Sequence, residues 1–330
     1  MRILVIFTGG TIGSSENGGV ISADAVSPRK KYKLIEAYRS ANPDRADFVT
    51  VSPYTILSEN LSANELNMLT KCVGEYLQNA SDFDGIIITH GTDTLQYSAA
   101  MLGFSFGNSP LPIMLVSANY PIEDSRSNGL ANFEASVEFI ASGVGKGVFV
   151  AYRNPNSLKT DILRSTRLIC HSEGSDKICD FSDSIYAEYS NGKIYVVDGN
   201  TPTNQSLGVI RLCENPPIAV VGSYPANSYS CCLDGVKAVI LRPYHSSTHN
   251  TESDNFIRFC GEAKRRNIPI FAINAKKGAI YSSSLSLKKN GIISLFGSAF
   301  PATYMKLWIG LSTGQDIVRF MQTPICNEID

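Results

Sequence analysis

Residues 2–13 read RILVIFTGGTIG, an apolar run that ends in a turn of glycine and threonine. The run at Ile3–Phe7 shows no alternation of apolar and polar residues, which is typical of a strand buried on both faces of a parallel sheet. Residues 86–94, IIITHGTDT, repeat this design further along the chain. Ligands of open α/β sheets bind beyond the carboxyl ends of the strands, so both turns lie where chemistry is expected.

Further strands and helices alternate along the chain. Similar apolar runs predict strands at Pro112–Ser117, Val148–Tyr152, Ile218–Val221, Ala238–Leu241 and Pro269–Ile273. Helical periodicity predicts helices at Ala63–Leu77, Leu95–Phe106, Asn128–Ile140 and around Asn255–Arg266. This alternation predicts an α/β fold, with a larger N-terminal domain built on a doubly wound, mostly parallel sheet and a smaller C-terminal α/β domain.

A boundary between these domains is expected at residues 191–216, which are rich in Gly, Asn, Thr and Pro. We therefore predict an N-terminal catalytic domain at 1–190, a linker at 191–216 and the smaller domain at 217–330.

Composition and the N-terminal sequence give no sign of several classes of partner and cofactor. The 330 residues carry a formal net charge of −1, which gives no electrostatic reason to expect a nucleic acid or membrane partner. Eight scattered cysteines without a CxxC pair, and four histidines, indicate reduced thiols and no zinc site. The N-terminus has no signal-peptide pattern, and no apolar stretch approaches the ~20 residues of a membrane span. We expect a cytoplasmic protein without a metal or organic cofactor.

The two turns supply nucleophiles, a carboxylate and accessible amide groups. Thr11 and Thr92 offer hydroxyl groups, and Asp93 can accept a proton or hold a cationic amine. Gly10 and Gly91 let the backbone approach a ligand and leave N–H groups that can stabilise an oxyanion. Either turn by itself also fits a structural role, as a tight turn or the cap of a helix. Neither matches GxGxxG or the Walker spacing, so a nucleotide site is not indicated.

Together, TGGTIG and IIITHGTDT resemble the bacterial-type L-asparaginase family. Ser58-Glu59-Asn60-Leu61 is similar to the substrate-binding segment of that family, and Ser117-Ala118-Asn119-Tyr120-Pro121 and Arg126-Ser127-Asn128-Gly129 resemble its next blocks. Leu241-Arg242-Pro243-Tyr244 and a closing helix after Ala302-Thr303 resemble its small domain. The resemblance covers nearly the whole chain, closely up to residue 132 and loosely after residue 160.

The resemblance implies hydrolysis of a side-chain amide in two steps through an acyl-enzyme. The threonine that matches Thr11 attacks the amide carbonyl, and the one that matches Thr92 is activated beside Asp93 and a lysine. Ser58 would bind the α-carboxylate of the substrate, and Glu59 with Asp93 its α-amino group. Three further residues would complete the substrate site: Gly10, Gly91 and Ser117. The family implies a homodimer or homotetramer and no cofactor.

The catalytic lysine of the family is missing. Matching the segment TDILRSTR (160–167) without gaps puts Arg164 at its position, whereas matching on the motif R-x-T-K puts Arg167 there. We assign the position to Arg164, which would hold Asp93 ionised but would not shuttle a proton near neutral pH. The alternative is that both arginines lie solvated on the surface.

Other departures concern the lid and a region that lies near a neighbouring subunit in the family. Residues 13–20 carry Gly and Ser, which suit a mobile lid, but no tyrosine. Asn128 replaces an aspartate, Thr303-Tyr304-Met305 replaces Thr-Glu-Ala, and Gly297-Ser298 replaces a Gly-Asp turn. His90 is expected to be a structural hydrogen-bonding residue, and His245 and His249 ordinary loop residues.

Several functions remain open at this point. The first is hydrolysis of L-asparagine to L-aspartate and ammonia. The second is a diverged protein that acts on another amide, such as glutamine, or that binds an amino acid without catalysis. The third is the ammonia-releasing subunit of a tRNA-dependent amidotransferase. Such subunits carry an extra N-terminal domain, for which a motif starting at Thr8 leaves no room, so we expect one of the first two.

Overall fold

The computed structural model describes residues 1–10, 12, 15–17, 20–22, 32–170, 174–199, 205–275 and 281–329. In this part of the chain the strands are β1 (Arg2–Phe7), β2 (Ser15–Asn17), β3 (Val20–Ser22), β4 (Asp47–Val51), β5 (Gly85–Thr89), β6 (Pro112–Val116), β7 (Gly147–Tyr152), β8 (Thr160–Arg164), β9 (Ala187–Ser190), β10 (Lys193–Val196), β11 (Ile218–Gly222), β12 (Ala238–Arg242), β13 (Ile270–Ala275) and β14 (Ile293–Phe296). The helices are α1 (Lys33–Ala41), α2 (Ala63–Leu77), α3 (Leu95–Phe106), α4 (Gly129–Ser142), α5 (Asp254–Arg265), α6 (Ser282–Lys289), α7 (Phe300–Ser312) and α8 (Ile317–Gln322).

The larger sheet has eight strands in the order β10-β9-β8-β7-β6-β5-β1-β4. Strands β4, β1, β5, β6 and β7 run parallel to one another, and β8 to β10 continue the sheet with antiparallel pairings. The chain moves from β1 to β4 on one side and then returns to β5 on the other side of β1. The strand order therefore reverses between β1 and β5, which makes the carboxyl ends of these two strands a topological switch point.

Both faces of this sheet are covered, which explains the unbroken apolar runs. Ile3 and Val5 point into a core with α1 and α4, whereas Leu4 and Ile6 point into a second core with α2 and α3. All four side chains are fully buried. Since burying one such side chain contributes about 1.5–3 kcal/mol, a polar residue at any of these four positions would be strongly destabilising.

Helix α2 illustrates how local sequence fixes an element beside the site. The hydroxyl of Ser62 accepts a hydrogen bond from the backbone of Asn64, and the Glu65 carboxylate accepts one from the backbone N–H of Ser62 at 3.1 Å, a capping box. Leu66, Leu69 and Val73 repeat at helical spacing and are buried. The helix thus starts at a defined residue, which also fixes the end of the turn that carries Ser58.

The smaller sheet consists of the parallel strands β11-β12-β13-β14. Helices α5 and α6 pack on one face of it, and α7 and α8 pack on the other. Helix α7 also packs against α2 and α3 through Met305, Trp308 and Ile309, so that its apolar surface joins the two sheets.

The structure confirms the predicted fold class and each predicted strand and helix to within a few residues. Helices α2 and α3 have the predicted bounds, while α7 begins at Phe300, before the residues at which the closing helix was expected. Strand β10 at 193–196 belongs to the larger sheet, and the first strand of the smaller sheet begins at Ile218. The division at 191–216 stays a prediction.

The structure also shows the state of the cysteines and the length and apolarity of the helices. All eight cysteines are free thiols. Within the described ranges, no helix combines the length and apolarity needed to cross a bilayer.

Candidate active site

The two motif turns leave β1 and β5 side by side at the switch point. The backbone N–H of Gly10 donates to the carbonyl of Ile56 at 3.0 Å, and Ile56 donates to the carbonyl of Thr8 at 3.1 Å. The hydroxyl of Thr8 donates to the carbonyl of Thr89 at 2.7 Å. The turn after β1 is therefore held between the turn after β5 and the segment that leads to Ser58.

Three of the predicted substrate-binding residues touch one another here. A Cβ atom on Gly10 would lie 2.3 Å from the backbone nitrogen of Gly91, and one on Gly91 would lie 2.3 Å from the hydroxyl oxygen of Ser58. Gly10 also has a φ of +76°, which disfavours any other residue. Glycine is thus required at Gly10 because the backbone of Gly91 approaches so closely, and a side chain at Gly91 would displace the side chain of Ser58.

Thr92 and Asp93 lie at the start of α3. Thr92 is half-buried and Asp93 is exposed, so the carboxylate is accessible to a solute. The side-chain amide of Gln96 donates to the carbonyl of Asp93 at 2.9 Å, and the turn is thereby held against the helix. The N-terminal end of a helix favours an anion, because its first backbone N–H groups have no partner within the helix.

A side chain outside the predicted set joins this turn to Ser58. The hydroxyl of Thr94 donates to the carbonyl of Ser58 at 2.8 Å. Ser58 is 5% exposed, whereas Glu59, the next residue in the same short 3₁₀ turn, is exposed. This hydrogen bond, together with the contact between Gly91 and Ser58, joins the segments that carry Asp93 and Glu59.

His90 holds the peptide between Gly91 and Thr92. Its Nδ1 lies 2.8 Å from the carbonyl of Gly91, which can only accept, so Nδ1 carries the proton. Its Nε2 then accepts from the hydroxyl of Ser98 at 2.8 Å. Burial lowers the pKa of His90. Its two hydrogen bonds fit the structural role expected from the sequence. Since C=O and N–H point in opposite directions across a trans peptide, the N–H of Thr92 is directed away from His90.

Ser117 follows β6, next to the end of β5. It is fully buried, and its hydroxyl group has no hydrogen-bond partner in the part of the chain that the structure describes. Its carbonyl accepts from the side-chain amide of Asn132 at 2.8 Å. An unpaired buried hydroxyl is costly in free energy and points to a missing partner.

Asn128 fits its surroundings as an amide. Its oxygen accepts from the backbone of Asn119 at 3.0 Å, and its nitrogen donates to the carbonyl of Arg153 at 2.8 Å. An aspartate has no N–H group for the second bond, so the amide suits this position.

The structure does not bring Arg164 to the turn that carries Thr92 and Asp93, and this corrects the assignment made from the gapless match. Strand β8 runs antiparallel to β7 and pairs Arg164 with Phe149, which is level with Ile87 in β5. Three strand spacings, about 14 Å, and two residues along the strand separate Arg164 from the end of β5.

Arg164 belongs instead to a buried cluster at the edge of the sheet. It donates to the carboxylate of Asp198 at 2.9 Å, and its guanidinium lies 5.0 Å from the ring centroid of Tyr186. The alternative position also lies elsewhere, because Arg167 pairs with Asp180 at 2.9 Å and stacks over Phe181. In the described ranges, no hydrogen bond or ion pair joins a lysine or arginine to Asp93.

Other expectations meet the structure in part. Thr11 and half of the predicted lid at 13–20 lie outside the described residues. His249 is buried and bonds to Ser223 at 2.9 Å, and burial lowers its pKa to about 4. His249 therefore differs from the ordinary loop residue that was expected, because it is buried and hydrogen-bonded. Tyr304 lies among the aromatic residues of α7.

Among the described residues, no group of three or more His, Cys, Asp or Glu side chains is arranged to hold a metal ion.

A family model described as "Asparaginase, N-terminal" matches residues 2–194, more than half of the chain. The chain belongs to the asparaginase family. The matched residues include both threonine turns, the Ser58–Asn60 turn and the end of β6. Membership of the asparaginase family confirms the expected class of enzyme, an asparaginase-type amidohydrolase.

Individual proteins resemble the chain over most of its length. A glutamyl-tRNA(Gln) amidotransferase subunit from Methanosphaera stadtmanae is 25% identical, over 100% of this chain and 77% of that protein. L-asparaginase 1 of Escherichia coli K12 is 26% identical, over 95% of this chain and 93% of that protein. The solved structure of the thermostable L-asparaginase from Thermococcus kodakarensis has a TM-score of 0.80 at 23% identity, over 100% and 99% of the two chains, and it shows the shared fold.

Sequence reasoning missed the residues that hold the asparaginase motifs in place. Thr94 stands inside the HGTDT motif, and its place after Asp93 was compatible only with a helix cap. Ile56 and Ser98 gave no local signal, because their roles depend on which turns and helices meet at the switch point.

Proposed function

We propose that the protein hydrolyses the side-chain amide of L-asparagine to L-aspartate and ammonia through an acyl-enzyme on Thr11. The observation that carries the proposal is the contact of Gly10, Gly91 and Ser58 at the switch point, beside the turn of Thr92 and Asp93. The contact joins the two glycines and the serine at the ends of β1 and β5, the strands that the two threonine motifs follow in the sequence.

Each residue has a role in the proposed reaction. The oxygen of Thr11 bonds to the amide carbonyl carbon, and its proton passes by way of Thr92 to the leaving nitrogen, which departs as ammonia. Water then attacks the ester, releases aspartate and returns the proton to Thr11. Asp93 orients Thr92, and the backbone N–H groups beside Thr92 stabilise the oxyanion in both steps.

The substrate is held by its amino-acid end. The hydroxyl of Ser58 binds the α-carboxylate, and the exposed carboxylates of Asp93 and Glu59 bind the α-ammonium group. The bond from Thr94 to the Ser58 carbonyl supports this assignment, because it keeps the two carboxylate-bearing segments together. Ser117, with its buried hydroxyl, completes the site.

Ammonia release from L-asparagine and L-glutamine by the purified protein tests the proposal. Thr11→Ala and Thr92→Ala are each expected to lower kcat by about 10³-fold or more. Thr313→Ala is the matched control, since the hydroxyl of Thr313 donates to the carbonyl of Ile309 at the C-terminal end of helix α7. Trapping of the acyl-enzyme with hydroxylamine should yield aspartyl hydroxamate from the parent protein and none from Thr11→Ala. Ammonia release that survives both substitutions would overturn the assignment.

The runner-up is an asparaginase-like protein that binds an amino acid or acts on another amide. It is favoured by Arg164, which pairs with Asp198 rather than replacing the lysine of the family beside Asp93. A rise in melting temperature with L-aspartate, without ammonia from either amide, would support binding alone. Ammonia from glutamine and none from asparagine would identify a glutaminase, and would place the protein nearer the amidotransferase subunits.

We also propose a homodimer or homotetramer in the cytoplasm. The family relationship supports the assembly, and the free thiols fit a reducing compartment. Light scattering during size-exclusion chromatography measures the assembly, and a single-chain mass would contradict it.

A further inference from the structure

A cavity of about 540 Å³ lies between the two sheets and does not include the candidate catalytic turn in its wall. It is formed by the first turns of α2 and α3, by residues 214–216 and by one face of α7. Thr94 contributes to the wall, whereas Ser58, Glu59, Thr92 and Asp93 do not. Its volume falls within the range of about 300–1,000 Å³ that is usual for small-molecule sites.

Helix α7 gives the cavity an aromatic wall. Phe300, Tyr304 and Trp308 stand four residues apart and therefore share one face of the helix. Neighbouring ring centroids along this face lie 6.0 Å apart. Tyr97 of α3 meets the wall edge-on, 6.1 Å from Tyr304. The faces of such rings carry partial negative charge and attract cations.

The charges around the cavity are arranged along this wall. Glu214 is the charged side chain among its described lining residues, and it is exposed. The indole N–H of Trp308 donates to the carbonyl of Cys213 at 2.9 Å, which puts the Trp308 end of the wall beside Glu214. At the other end the guanidinium of Arg242 lies 4.4 Å from the centroid of Phe300. A cation is therefore favoured at the Trp308 end and disfavoured at the Phe300 end.

We propose that this cavity binds a small aromatic compound that carries a protonated amine. The ammonium group lies between the Glu214 carboxylate and the ring of Trp308, and the arene packs against Tyr304 and Tyr97. The proposal does not depend on the hydrolytic function, because binding is measured without turnover.

Trp308 is the single tryptophan of the chain, so its fluorescence reports directly on this cavity. The probes are 2-phenylethylamine, which is protonated at pH 7, and the neutral 2-phenylethanol of nearly the same shape. Saturable change with the amine, at an affinity about 5-fold or more above that of the alcohol, is the expected result.

Glu214→Gln tests the role of the charge, and it should not disturb folding because the side chain is exposed. It is expected to remove most of the preference for the amine while leaving the affinity for the alcohol unchanged. Glu252→Gln, at another exposed position, should change neither affinity. The absence of saturable change with the amine, or equal affinities for the two probes in the parent protein, would overturn the proposal. So would an undiminished preference in Glu214→Gln.

Discussion

His90 has its effect through the peptide bond that it holds. With its Nδ1 bound to the carbonyl of Gly91, the N–H of Thr92 faces away from the histidine, where the proposed reaction needs an oxyanion donor. We predict that His90→Leu lowers kcat for ammonia release by about 100-fold, the usual loss for one such donor, with little change in KM. Steady-state kinetics with L-asparagine provide the measurement.

A conservative variant separates this role from simple packing. In His90→Asn the side-chain amide can still donate to the Gly91 carbonyl, so it should recover part of the lost kcat. If His90→Leu raises KM and leaves kcat unchanged, the histidine does not orient an oxyanion donor.

We predict that His249 makes the free energy of unfolding depend on pH. Its pKa is about 4 in the fold, against an ordinary value of 6.5, so the unfolded chain binds a proton more readily. The resulting contribution to stability is complete above pH 6.5 and is lost as the pH falls toward 4. At pH 5 the loss relative to pH 7.5 is about 2 kcal/mol.

The matching variant is His249→Asn, whose amide can still bond to the hydroxyl of Ser223. We expect its free energy of urea unfolding to fall less between pH 7.5 and pH 5 than that of the parent, by about 2 kcal/mol. Equal decreases in the two proteins would show that another group causes the acid sensitivity.

Between the elements, the start of α3 and the turn at Ser58–Asn60 are joined by the hydroxyl of Thr94. We predict that Thr94→Val, which keeps the shape and removes the donor, raises KM for L-asparagine several-fold, because Ser58 and Glu59 then lose their fixed position. Thr94→Ser keeps the donor and should behave as the parent protein. A KM that stays unchanged in Thr94→Val would mean that the turn is held by its other contacts.

The strands and helices were predictable because burial on two faces leaves a local pattern. Strand β1 is apolar at every position after Arg2, and α2 carries its own capping box. Strand β4 lacks this pattern, since it lies at the edge of the sheet with partly exposed residues. Its place beside β1 depends on pairing, which local sequence does not encode.

Some residues of the candidate site were likewise predictable from local sequence, and others were not. Gly10, Gly91 and Ser58 were predictable as neighbours because a close contact demands small residues at particular positions of a motif, whereas their roles in binding substrate stay predictions. Arg164 was assigned wrongly, because counting residues along the chain ignores the direction of β8. Reversal of that strand places Arg164 away from the carboxyl end of β5 and beside Asp198. The neighbours of a residue across a sheet depend on how the strands pair and in which direction they run. Matching a short segment to a motif contains neither kind of information.

At the scale of the whole molecule, the C-terminal segment holds α7 against the larger sheet domain. The thiol of Cys326 donates to the carbonyl of Gly103 at 3.1 Å, and its carbonyl accepts from the hydroxyl of Thr166 at 2.7 Å. The segment is fixed to α7 itself by a buried ion pair between Lys306 and Glu328, which are 1% and 2% exposed. Burial lowers the pKa of Lys306 and raises that of Glu328.

Removal of one partner should therefore be costly. Lys306→Met leaves the carboxylate of Glu328 buried without its cation, and we predict a loss of about 3–5 kcal/mol in the free energy of unfolding by urea. Lys159→Met is the matched control, because it breaks a salt bridge to Glu188 in which the lysine is 54% exposed, and it should cost no more than about 1 kcal/mol. Adding Glu328→Gln to Lys306→Met neutralises the stranded charge and should restore part of the loss. Equal losses in the two lysine variants would show that the buried pair does not anchor the C-terminal segment, and that the contacts of Cys326 hold it.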